Sequence, residues 1–105
     1  MDNFRIIYKI LKALERALDV ENFDKNLITA EALGISEERW SRIMKMMIDE
    51  GYIEGVRNIK YDGATVPLIK MLNPAITLKG LEYLENNSMM KKAADIAKGI
   101  IDIVS

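Results

Sequence analysis

Cysteine and histidine are both missing from these 105 residues. Without cysteine there is no disulfide framework and no thiolate metal site, and an intracellular protein is the simplest reading. Without histidine, the commonest general base, the commonest zinc ligand and the usual pH switch are lost together. No window reaches the roughly 18 uncharged apolar residues that a membrane span needs. The Met1-Asp2-Asn3-Phe4-Arg5 start is acidic and lacks the apolar block of a signal peptide, so a soluble, cytoplasmic protein is expected. No Gly-rich phosphate loop or nucleophile motif occurs, and no carboxylate pair stands out in an apolar setting. Neither an enzyme nor a cofactor is expected. A charge excess is missing too: the formal net charge is −1. Affinity for DNA comes largely from basic side chains that neutralise phosphates, so this balance argues mildly against DNA as a partner.

What remains is one small domain's worth of chain. Half of it is apolar and 30% charged, which suits a packed core and not a disordered segment. Ile7, Ile10, Leu11, Leu14 and Leu18 recur at three- and four-residue spacing. They predict a helix over residues 4–18, capped by Asp2 or Asn3. Residues 22–28 have no helical period and read as an irregular or short extended crossing. Thr29 caps a helix of barely two turns that ends at Gly34.

Ser36 opens a stronger helix, with Glu37 and Glu38 in the first turn, where the helix dipole favours acids. Trp40, Ile43, Met44, Met47 and Ile48 form its inward stripe, and Gly51 supplies the left-handed stop. Residues 52–59 and 66–72 are rich in β-formers and flank an Asp62-Gly63 turn signal, so they predict a hairpin. Pro67 belongs at a strand start or edge, and Asn73-Pro74 is expected to end the second strand. Thr77 then caps a helix over residues 78–85, with Leu78, Leu81 and Leu84 facing in. Residues 88–105 read as a separate helix capped by Ser88. In it Met90, Ala93, Ala97, Ile100 and Val104 alternate at three and four, a seam that wants another helix. That helix is expected to pack on the domain of residues 1–87 or to pair two copies into a homodimer.

The order of elements is that of a winged helix-turn-helix, mainly α with a small β-hairpin and an extra C-terminal helix. Four stretches carry a nearer resemblance. They are Phe4-Arg5-Ile6-Ile7-Tyr8-Lys9-Ile10-Leu11, Gly34-Ile35-Ser36-Glu37-Glu38, Glu50-Gly51-Tyr52-Ile53-Glu54-Gly55-Val56, and Ile76-Thr77-Leu78-Lys79-Gly80-Leu81-Glu82-Tyr83-Leu84-Glu85-Asn86-Asn87. Together they resemble the YjcQ-type small proteins of Gram-positive bacteria and their prophages over nearly the whole chain. The resemblance implies a winged-helix fold and a phage-associated origin. It carries no functional residue across, and fold analogy alone supplies none.

Two function classes therefore stay open, a DNA-binding protein of regulatory type and a protein-interaction module that docks on a host or phage protein. For double-stranded DNA, the exposed stripe of the second helix of the helix-turn-helix offers Arg39, Arg42 and Lys45, with Glu38 and Asp49 on the same side. The bland alternative makes Glu38–Arg42 and Lys45–Asp49 ion pairs on a solvated face. At the hairpin tip Arg57, Asn58, Lys60 and Tyr61 lie close together, where a wing touches the DNA backbone or minor groove. Basic side chains beside an aromatic are also ordinary on a hairpin. Arg5, Lys9, Lys12 and Arg16 form a third basic set, more simply read as solvated. Met46 departs from the core stripe and, with Tyr61, suits an adaptable protein contact.

Overall fold

The computed structural model describes residues 2–59 and 64–87. The expected C-terminal seam of Met90, Ala93, Ala97, Ile100 and Val104 lies outside the described residues, as do Lys60 and Tyr61.

Helix α1 spans Asn3–Arg16, and the Asp2 carboxylate caps it by accepting from the Arg5 amide at 2.9 Å. Ile6, Ile10, Leu11 and Leu14 are its buried stripe, while Ile7 is half-buried. The expectation that Leu18 closes this stripe is corrected, because Leu18 is 61% exposed. The α-helix gives way at Ala17 to a 3-10 turn over Ala17–Asp19. At three residues per turn, such a turn rotates its side chains off an α-helical stripe. A second 3-10 turn, Lys25–Ile28, replaces the irregular or extended crossing expected over residues 22–28. It delivers Ile28 into the core.

Helices α2 (Ala30–Leu33) and α3 (Glu37–Asp49) follow, and both end in the same way. Gly34 and Gly51 sit at φ +71° and +79°, the left-handed conformation that glycine adopts without a Cβ penalty. Each lets two amides bond back into the helix just ended: Gly34 to Glu31 and Ile35 to Ala30, Gly51 to Ile48 and Tyr52 to Met47. Thr29 caps α2 through the Ala32 amide and Ser36 caps α3 through the Arg39 amide. Trp40, Ile43, Met44 and Met47 of α3 are buried as the spacing requires, and Ile48 is half-buried. Full burial of aliphatic side chains of this size stabilises by roughly 1.5–3 kcal/mol each before entropy is counted. The buried stripes of α1 and α3 therefore contribute most to holding the fold together.

Strands β1 (Ile53–Asn58) and β2 (Ile69–Ile76) form an antiparallel pair. The second strand starts later and runs further than its residues predict, because Asn73-Pro74 does not end it. Glu54 pairs with Ala75 and Val56 with Met71, so Gly55 faces three residues of β2, Leu72, Asn73 and Pro74. Proline has no amide to give to a ladder and is accommodated where the ladder is already broken. Gly55, at φ +73°, makes room for the Asn73 carbonyl, which occupies the place of a Cβ. The break keeps both Ile53 and Val56 on the core side although they are three residues apart. Lys25 reaches the Met71 carbonyl with its Nζ at 3.4 Å, setting the second 3-10 turn beside β2.

Helix α4 (Leu78–Asn86) is joined to the end of α3 by one side chain. Thr77 Oγ1 donates to the Gly51 carbonyl at 2.5 Å and accepts from the Gly80 amide at 3.0 Å. Leu78 is corrected: it is 74% exposed and does not face in. The inward side of α4 is set by Gly80, which lies against the Tyr52 carbonyl and Ile76 where a Cβ would collide. Leu84 is one helical turn further on and buried, with Leu81 half-buried beside the same stripe. The described part of the chain is thus mainly helical with one hairpin, a winged helix-turn-helix arrangement.

Candidate nucleic-acid interface

The helix-turn-helix is α2, the turn at Gly34 and α3, and it is fixed from below by Trp40. The indole Nε1 donates to the Ile28 carbonyl at 2.8 Å, so α3 is tied to the turn that precedes α2. With that face buried, the opposite face of α3 is presented outward.

The three cations expected on that face have different surroundings. Arg39 is half-buried and donates from both Nε and Nη2 to the Asn3 carboxamide oxygen, at 2.9 and 2.7 Å. This contact joins the start of α3 to the start of α1. Lys45 pairs with Asp49 at 2.5 Å, the i, i+4 ion pair its spacing predicts. Arg42 is exposed, and the ion pairs among the described residues do not include the companion pair with Glu38. Met46 lies one turn beyond Arg42 and is 50% exposed.

Arg57 is exposed on β1, and its partner directly across the hairpin is Lys70. Like charges at directly opposed positions are mildly destabilising, and among the described residues neither has an ion pair. Lys70 was not among the sequence candidates. Its role depends on register, and the register is fixed by the break at Gly55 and by the Ile59 amide donating to the Leu68 carbonyl at 2.6 Å. A tight two-residue turn at Asp62-Gly63 would instead set Arg57 opposite Leu68. Asn58 faces the core side, half-buried opposite Ile69, and its side-chain oxygen has no hydrogen-bond partner among the described residues. That orientation turns its carboxamide away from the face that carries Arg57. In the third basic set, Arg5 pairs with Asp2 at 3.6 Å and Lys12 with Glu15 at 2.8 Å.

A separate cluster sits where α4 meets the start of β1. The rings of Tyr52 and Tyr83 lie 4.9 Å apart at 44°, and Lys79 Nζ stands 5.8 Å from the centre of the Tyr52 ring. Burial, with a smaller contribution from Tyr52, raises the Tyr83 phenol above its ordinary pKa. Among the described residues no group of acids could hold a metal ion, and no helix is long and apolar enough to cross a membrane.

Comparison with known proteins finds one family. The model of the YjcQ protein family matches residues 8–103. Among solved structures, the chain is similar to the solution NMR structure of the YjcQ protein from Bacillus subtilis. Identity is 28%, over 79% of this chain and 92% of that one, with a TM-score of 0.48. No curated protein matches.

Proposed function

The chain belongs to the YjcQ family, and we propose that it is a small binding protein for duplex DNA that reads with the outward face of α3. The observation that supports this reading is the pairing of a helix-turn-helix tied by the Trp40–Ile28 hydrogen bond with an exposed Arg42 at the middle of its second helix. In this reading Arg42 makes the central contact. Lys45 contributes after exchanging Asp49 for phosphate, and Arg39 sets the entry angle of α3 through Asn3. Glu38 and Asp49 bound the cationic stretch on either side, so few phosphates are met and the affinity is modest.

The test is a titration of labelled mixed-sequence duplex at low salt, repeated as salt is raised. Non-specific binders reach roughly 10⁻⁴–10⁻⁶ M at physiological salt, and each lost phosphate contact lowers the salt slope by about 0.9. Arg42→Gln is expected to weaken binding and to flatten that slope. Silence at low salt would overturn the reading. It would favour the second one, in which the same helix face docks on a protein, supported by the half-exposed Met46.

A further inference from the structure

We propose that the solvent face of the hairpin is a docking site for an acidic segment of a partner protein that also presents aliphatic side chains. The proposal goes beyond the reading of α3 and uses a different surface. Its centre is the Arg57–Lys70 pair, held directly opposite across the strands. Side chains two residues apart share a face of a strand, and cross-strand partners share it as well. Ile59 and Leu68 therefore flank the pair on one side, joined by the Ile59 amide bond to the Leu68 carbonyl. Leu72 flanks it on the other, beside the break in pairing at Gly55. These three aliphatics are between 38% and 47% exposed. From Leu68 to Leu72 the strip is about 14 Å long, at about 3.4 Å per residue. The core side chains of the same strands, Val56 and Met71, point the other way, into the domain.

Charge complementarity selects the occupant. Two cations without an ion pair among the described residues, in a chain whose net charge is −1, ask for a carboxylate rather than for more of the same sign. Arg57 can receive that carboxylate through two parallel N–H bonds. The aliphatics decide between a peptide and a nucleic-acid backbone. A phosphate track would satisfy Arg57 and Lys70 and leave Ile59, Leu68 and Leu72 in water, whereas an acidic peptide with aliphatic neighbours covers both. An arginine set beside exposed aliphatic side chains suits a protein contact, where Arg is enriched and apolar area is buried together with it.

The experiment uses the full chain and a short fluorescein-labelled peptide of alternating glutamate and leucine, followed by anisotropy. Saturable binding is expected, with none to the same peptide carrying lysine for glutamate. The double variant Arg57→Gln, Lys70→Gln should weaken it about tenfold, equivalent to about 1.4 kcal/mol. Leu72→Ser should weaken it as well, which a purely electrostatic contact would not. Unchanged circular dichroism and melting of the variants would show that the fold is intact, since all three positions are exposed. Absence of saturable binding, or binding indifferent to the double variant, would overturn the proposal. So would a dimer of the free chain that the double variant splits into monomers, because the face would then belong to a second copy. Loss of duplex binding by Arg42→Gln tests α3 alone, so the two readings fail separately.

Discussion

Trp40 and Ile28 are tied by a buried hydrogen bond, indole Nε1 to backbone carbonyl at 2.8 Å, across twelve residues of sequence. The bond closes the helix-turn-helix on the turn before it. Trp40→Phe keeps most of the ring and removes the donor, leaving the Ile28 carbonyl unpaired out of water. The expected loss is about 1–3 kcal/mol. Trp40 is the only tryptophan, so the urea midpoint is followed by circular dichroism and not by fluorescence.

Gly55 is expected to be the most sensitive glycine. An alanine there must adopt a positive φ and place its Cβ on the Asn73 carbonyl, which is backbone and cannot swing aside. The left-handed conformation alone costs about 1–2 kcal/mol, and the collision adds to it. Gly34→Ala shares the conformation and meets nothing within 4 Å, so it should lose only the first part. Denaturant melts of the two variants separate conformational strain from close approach.

Thr77 serves two helices with one hydroxyl, as N-cap of α4 and donor to the Gly51 carbonyl. Thr77→Ala is expected to destabilise by about 1–2 kcal/mol, the cost of a lost cap. Thr77→Ser retains both bonds and should recover most of that. A serine variant as unstable as the alanine would show that the methyl group, not the hydroxyl, matters there.

Stability should fall on the alkaline side. Burial raises the Tyr83 phenol above its ordinary 10.0, and the hydrogen bond to Glu15 raises the Lys12 ammonium above its ordinary 10.5. Both groups hold their proton more tightly when the chain is folded. Their contribution is complete below the unfolded values and is lost as pH rises through the folded ones. Melting temperature measured across that range should decline, and Tyr83→Phe should flatten the earlier part of the decline. Because both side chains are substantially solvated, the effect is small.

Caps and stops were legible because their signals are local. Thr29, Ser36 and Thr77 each accept an amide three residues on, and Gly34 and Gly51 adopt the left-handed turn that lets a helix close. The stripe of α3 was legible for a related reason: one helical period, read from Trp40 to Met47, decides which side faces the core. Leu18 and Leu78 were misplaced because they stand at helix ends, where a change to a 3-10 turn or a glycine contact resets the direction of burial. Of the candidate site, the sequence indicated Arg42 as an exposed cation. It could not indicate that Arg39 would be held by Asn3, a residue 36 positions away.

By itself, then, the sequence determined the order of the four α-helices and the hairpin, the caps of those helices and the central part of each buried stripe, since each depends on residues within a few positions of one another. Tertiary structure decided the register of the hairpin, and with it that Arg57 stands opposite Lys70 between exposed aliphatics. That outcome depends on how Gly55 receives the Asn73 carbonyl from the facing strand. A contact between two backbones distant in sequence leaves no periodic trace in either of them.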